Sequence, residues 1–220
     1  MSIDYRRSEH HEFLQASHEA MADQGLLNIL GQLGDTLGAK NRKAWAELPG
    51  SSDIRQRARE IKDATLAHLD EHLATLADSV ERRGGKVYFA ADGAEARQTI
   101  LDILAQTSAK KVVKSKSMTS EEIHLNPALE AAGVEVVETD LGEYIIQLAG
   151  HRPSHIVGPA LHLNKEQVAE ILSQVSPEPL PPIKEVLTKF ARQKLREHFA
   201  TADVGISGVN FAVAETGTLT

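Results

Sequence analysis

Lys111-Val112-Val113-Lys114-Ser115-Lys116-Ser117-Met118-Thr119 is the stretch on which the fold turns. Its first four residues have an apolar centre and read as a strand, the polar residues after them read as a loop, and Thr119 with Glu122 fits a capping box that opens a helix. Asn126-Pro127 restarts that helix, and Gly133 ends it just before another apolar run, Val134 to Val137. A strand, a short helical crossover and a second strand form the unit of a parallel sheet, because parallel neighbours cannot be joined by a tight turn.

The alternation continues on both sides. Upstream, Lys86-Val87-Tyr88-Phe89-Ala90 reads as a strand, and Asp92, placed before Glu95, caps a helix carrying Ala96, Ile100, Ile103 and Leu104. Downstream, Leu141, Ile145 and Leu148 mark a helix before Pro153, and His155 to Gly158 reads as a fourth strand. Asn164 with Gln167 forms a capping box whose entry Leu163 and Val168 can staple. Repeats this short predict an α/β fold, an open, mainly parallel sheet flanked by helices.

The proline-rich Pro177 to Pro182 can be neither helix nor central strand and reads as a connector. A helix follows with Ile183, Leu187, Phe190, Ala191, Leu195 and Phe199 on one face. Asp203 to Thr220 reads as strand and turn; its apolar Phe211-Ala212-Val213-Ala214 is expected to pair with a strand whose start Thr216 to Thr220 resembles and which continues beyond it, so the natural protein is expected to be longer. Before the alternation, residues 1–85 read as a helical N-terminal extension, leaving 86–220 as the α/β domain. From Ala58 the positions Ile61, Leu66, Leu69, Leu73, Leu76 and Val80 predict one buried stripe on a long helix that Gly84-Gly85 stops.

Composition narrows the function classes. Hydrophobic residues are 41% and charged residues 25% of the 220, the mix of a protein that buries a core. A net charge of −7 argues against broad capture of nucleic acid, which needs clustered Lys and Arg. No apolar run approaches the roughly 20 residues of a membrane span, and Met1 to His11 lacks a signal peptide's apolar region, so a cytoplasmic location is expected. Without cysteine the chain can form no disulfide, thiolate nucleophile or cysteine-ligated metal site. The ten histidines show no paired-ligand spacing, and no metal is assigned.

Ligands of open parallel sheets bind beyond the carboxyl ends of strands. Four loops qualify. Lys114, Ser115, Lys116, Ser117 and Thr119 offer two ammonium groups and three hydroxyls to a small anionic substrate, or form a solvated turn whose hydroxyls only cap a helix. In Glu138-Thr139-Asp140-Leu141-Gly142-Glu143 closely spaced carboxylates can act as acid and base, although Asp140 and Glu143 also fit an N-cap and its partner; Glu138 is the freer catalytic candidate. His162 can act as general acid or base, or as a structural hydrogen-bonder. Around Gly208, Asn210, Glu215, Thr216 and Gly217, backbone can approach a ligand with Glu215 as a third catalytic candidate, or Gly217 simply makes a hairpin turn.

Four segments carry a resemblance: Val112 to Met118, Glu138 to Ala149, Pro153 to Val157, and Asp203 to Gly217. Together they resemble the N-terminal (LUD) domain of the lactate utilisation protein B family, iron–sulfur subunits of an L-lactate oxidation complex. The resemblance implies a fold like that of the CoA-transferase and ribose-phosphate-isomerase group. It also implies two [4Fe–4S] clusters held by a cysteine-rich segment that these residues do not include, other lactate utilisation subunits as partners, and a role in oxidising L-lactate to pyruvate. On that reading the chain is the substrate-binding or scaffold part of the complex and is not active alone. The alternatives are a stand-alone enzyme acting on a sugar phosphate or acyl-CoA, and a pure subunit-interaction module.

Overall fold

The computed structural model describes residues 5–155 and 158–220, with side chains from His10 onward. The chain divides into two units, Met1–Lys62 and Asp63–Thr220. The first holds α1 (Tyr5–Ala22), α2 (Gln24–Glu47) and the start of α3 (Ser51–Ala67). Asp23 caps α2 by accepting from Leu26 N, and the Arg55 guanidinium lies 5.1 Å from the Trp45 ring centroid.

The sequence predicts one helix through His68, but α3 ends there and α4 (Leu69–Arg82) begins. His68 leaves helical geometry, and Asp70 and Glu71 in the next turn favour a fresh N-terminus through the helix dipole. The stripe expected to be buried is exposed at Ile61, Leu66, Leu69 and Leu73. Periodicity identifies an apolar face and not whether anything covers it. The predicted stop is present: Gly84 takes φ 86°, and Gly85 N donates back to Val80 O.

Lys86 to Ala90 is not a strand. It is irregular, with Tyr88 and Phe89 exposed, because β-prone residues need a neighbouring ladder and none lies beside them among the described residues. Beyond it, α5 (Gly93–Thr107) is capped by Asp92 as predicted, and Glu95 reaches back to Ala91 N.

The sheet is built from β1 (Lys111–Lys114), then α6 (Met118–Glu122) and α7 (Leu125–Ala131), then β2 (Glu135–Glu138). The cap of α6 is Ser117 rather than Thr119, since Ser117 Oγ is the atom that accepts from Ser120 N. Next come α8 (Leu141–Ala149), α9 (Lys165–Ser173) with its predicted Asn164–Gln167 capping box, α10 (Lys184–Thr201) and β3 (Val204–Ile206). The three strands are parallel in the order β2-β1-β3. Asp203 fixes the register by accepting from Lys110 N and Lys111 N, and those two bonds hold its carboxyl below the usual range.

Successive strand residues face opposite sides. Val112 and Val136 pack with Leu104, Leu125 and Leu129 of α5 and α7, while Val113 and Val137 pack with Tyr144, Ile145, Leu172, Leu187 and Leu195 of α8, α9 and α10. Both faces are therefore covered, as an all-parallel sheet requires. The fourth predicted strand centres on residues 156 and 157, outside the described residues; His155 lies in a turn. Phe211 to Ala214 finds its partner within the chain: β4 (Ala212–Val213) pairs antiparallel with β5 (Thr218–Leu219).

Candidate functional site

Lys114, Glu138 and Ile206 are the last residues of three parallel strands, so the loops after them leave from one edge of the sheet. Ser115 N donates to Ile206 O and Thr139 N to Lys114 O, both at 2.9 Å, which binds the starts of these loops together. Ser115 Oγ lies 3.1 Å from Ser207 Oγ. At Gly208 an added Cβ would sit 3.3 Å from Ser117 Oγ, so the absence of a side chain lets the two loops touch. Lys116 is exposed and makes no hydrogen bond or ion pair among the described residues.

Beneath this loop Lys114 and Glu138 neutralise one another. Lys114 is wholly buried with its Nζ 2.8 Å from Glu138 Oε1 and 3.0 Å from Ser120 Oγ. Asn126 Nδ2 donates to the same Glu138 oxygen at 2.8 Å, and Gln147 bridges Glu138 N and Val136 O. Glu138 Oε2 is buried with no hydrogen-bond partner among the described residues. Read from the sequence as a separate anion ligand and catalytic carboxylate, the two residues form one buried ion pair.

Glu143 completes the second feature of this edge. Asp140 caps α8 by accepting from Gly142 N and Glu143 N, which places Glu143 in the first turn. Its side chain does not return to the cap. Glu143 Oε1 lies 3.0 Å from His155 Nε2, and Glu121 Oε1 of α6 lies 3.0 Å from the same nitrogen. Burial pushes the Glu121 carboxyl above its ordinary range, the Glu143 charge adds to that, and His155 and Lys114 act against it. Sequence reading missed Glu121 and His155, because three residues from α6, α8 and a turn share no spacing that marks a common site.

The other candidates lie apart from these contacts. His162 Nε2 is 3.3 Å from His151 Nδ1, and burial followed by the His151 charge lowers its pKa. Thr119 is exposed within α6. Asn210 N donates to Thr220 O, closing the β4–β5 hairpin. At its turn, Glu215 O accepts from Ser79 Oγ and Thr216 O from Arg83 Nε. Gly217, at φ 68°, rests on the Ser79–Val80 backbone of α4. A surface hollow runs along α10 past Arg192, Arg196 and Phe199, and none of these candidates lines it.

A [4Fe–4S] cluster is held by thiolates. With no cysteine, these residues do not fit the two clusters the resemblance implies. No described helix is long and apolar enough to cross a membrane.

A family model described as LUD domain matches residues 73–220. The chain is 48% identical over 210 residues to lactate utilization protein B of Anoxybacillus flavithermus, covering 92% of this chain and 44% of that protein. It is 46% identical over 206 residues to lactate utilization protein B of Macrococcus caseolyticus, covering 93% and 43%. The Escherichia coli protein named uncharacterized electron transport protein YkgF is 41% identical over 208 residues, covering 94% and 44%. The chain thus spans less than half the length of these relatives. No solved structure matches it.

Proposed function

The chain belongs to the LUD domain family, and we propose that it is the substrate-binding domain of a lactate-utilising protein, working in the cytoplasm within an L-lactate-oxidising assembly. The observation that carries this reading is the exposed Lys116, unpaired among the described residues, in the loop of Ser115 and Ser117 that meets Ser207 and Gly208 at the carboxyl edge of a parallel sheet. A 2-hydroxy acid presents a carboxylate and a hydroxyl. An ammonium answers the first and serine hydroxyls the second. These residues bind and orient; with no thiolate in the chain, clusters that carry electrons belong to other parts of the assembly.

Calorimetry on this chain with L-lactate, D-lactate, propionate and phosphate tests the proposal. L-Lactate is expected to bind best, and Lys116→Ala to weaken it by about tenfold, as for a lost charged hydrogen bond. No binding of L-lactate, or equal affinity in the variant, removes the loop from the site.

A further inference from the structure

We propose that Glu121, Glu143 and His155 form a site for one divalent first-row transition-metal ion. One ligand atom from each residue lies within 4.8 Å of the other two. His155 Nε2 is 3.0 Å from a carboxylate oxygen on either side. Neighbouring ligands on a metal with bonds of about 2.1 Å lie about 3 Å apart, so the two contacts of His155 with the carboxylates already have the spacing of neighbouring ligands.

A salt bridge alone explains the arrangement poorly. Nε2 carries at most one proton, yet two carboxylate oxygens approach it at equal distance. The side chains are withdrawn from solvent, with exposures of 4% for Glu143, 15% for His155 and 27% for Glu121.

Charge supplies the second argument. Glu138 lies close enough for its charge to act on Glu121, and one of its oxygens is buried with no partner among the described residues. The Glu143 and Glu138 charges both act on Glu121, while the buried ammonium of Lys114 is paired with Glu138. Buried charge on this scale is held by pairing or by a metal.

Two carboxylates and one imidazole suit zinc, manganese, cobalt or ferrous iron better than calcium or magnesium. Three protein ligands leave coordination positions open. If the proposed lactate reading holds, a 2-hydroxy carboxylate has the oxygens to occupy them.

The test is titration of the chelator-treated chain with Co2+, followed by visible absorption, and with Zn2+, followed by calorimetry, with no organic ligand present. One equivalent is expected to bind. Glu121→Gln and Glu143→Gln should each weaken it by at least about tenfold, and His155→Ala should abolish it. Bound metal should raise the melting temperature of the parent chain and not that of Glu121→Gln, the most exposed and least disruptive change. Absence of binding overturns the proposal. So does binding of equal affinity in the variants, which would place the metal on histidines elsewhere. Either result leaves the Lys116 reading standing, and failure of L-lactate binding leaves the metal reading standing.

Discussion

Lys114 and Glu138 are register partners at the ends of β1 and β2, and their side chains meet at 2.8 Å with neither open to solvent. Removing one partner strands a charge in the interior. Lys114→Met is expected to destabilise the fold by about 3–5 kcal/mol, whereas Lys114→Met with Glu138→Leu should recover most of that loss. Urea unfolding of the parent and both variants measures it. Equal stabilities for the single and double variants would show that the pair is not a unit.

Gly217 and Gly84 separate strain from close approach. Both have positive φ, 68° and 86°, but a Cβ at Gly217 would lie 2.9 Å from Ser79 C and Val80 N, while nothing stands within 4 Å of one at Gly84. Gly84→Ala should cost about 1 kcal/mol from its backbone alone. Gly217→Ala should cost more, and should release the hairpin to proteolysis. Thermal melts with limited proteolysis decide; equal effects would mean that the hairpin is not seated on α4.

His198 makes stability depend on pH. Burial lowers its pKa from 6.5, Lys111 lowers it further, and Lys194 acts in the same direction, while Glu135 and Glu197 oppose them. The unfolded chain therefore takes up a proton at a higher pH than the folded one does. The cost is absent well above pH 6.5 and grows as pH falls through and below it. Unfolding curves across this range should show a decline that His198→Gln reduces. An unchanged decline would assign it to other groups, such as His162, whose pKa is also lowered.

Asp140 holds Glu143 in place. Its carboxylate accepts from Gly142 N and Glu143 N, fixing the first turn of α8. Asp140→Ala should cost about 0.5–2 kcal/mol and Asp140→Asn much less, since asparagine caps almost as well. If the metal site exists, Asp140→Ala should also weaken Co2+ binding. A loss of affinity as large in Asp140→Asn would point to charge rather than position.

Local chemistry made much of the fold legible. Val112-Val113 and Val136-Val137 read as strands, Asp92 and Asn164 marked the starts of their helices, and Asp140 fitted a cap as one of two readings, because caps and short apolar runs act through neighbours in sequence. Lys86 to Ala90 misled for the complementary reason: a strand exists only when another lies beside it, which its own residues cannot reveal. The turn Gly217 makes was open to either reading until the backbone of Ser79 and Val80 was found against it.

The sequence by itself determined the α/β class, the carboxyl-edge loop with Lys116 and its serines, and the lack of any thiolate for a cluster. Tertiary structure decided which charges meet. Lys114 turned inward to Glu138 because their strands are register neighbours and the pair is excluded from water. Glu121, Glu143 and His155 converged because α6, α8 and the turn at His155 are brought together at the same edge. Coulomb interaction depends on distance and burial in three dimensions, and neither quantity is written in spacing along the chain.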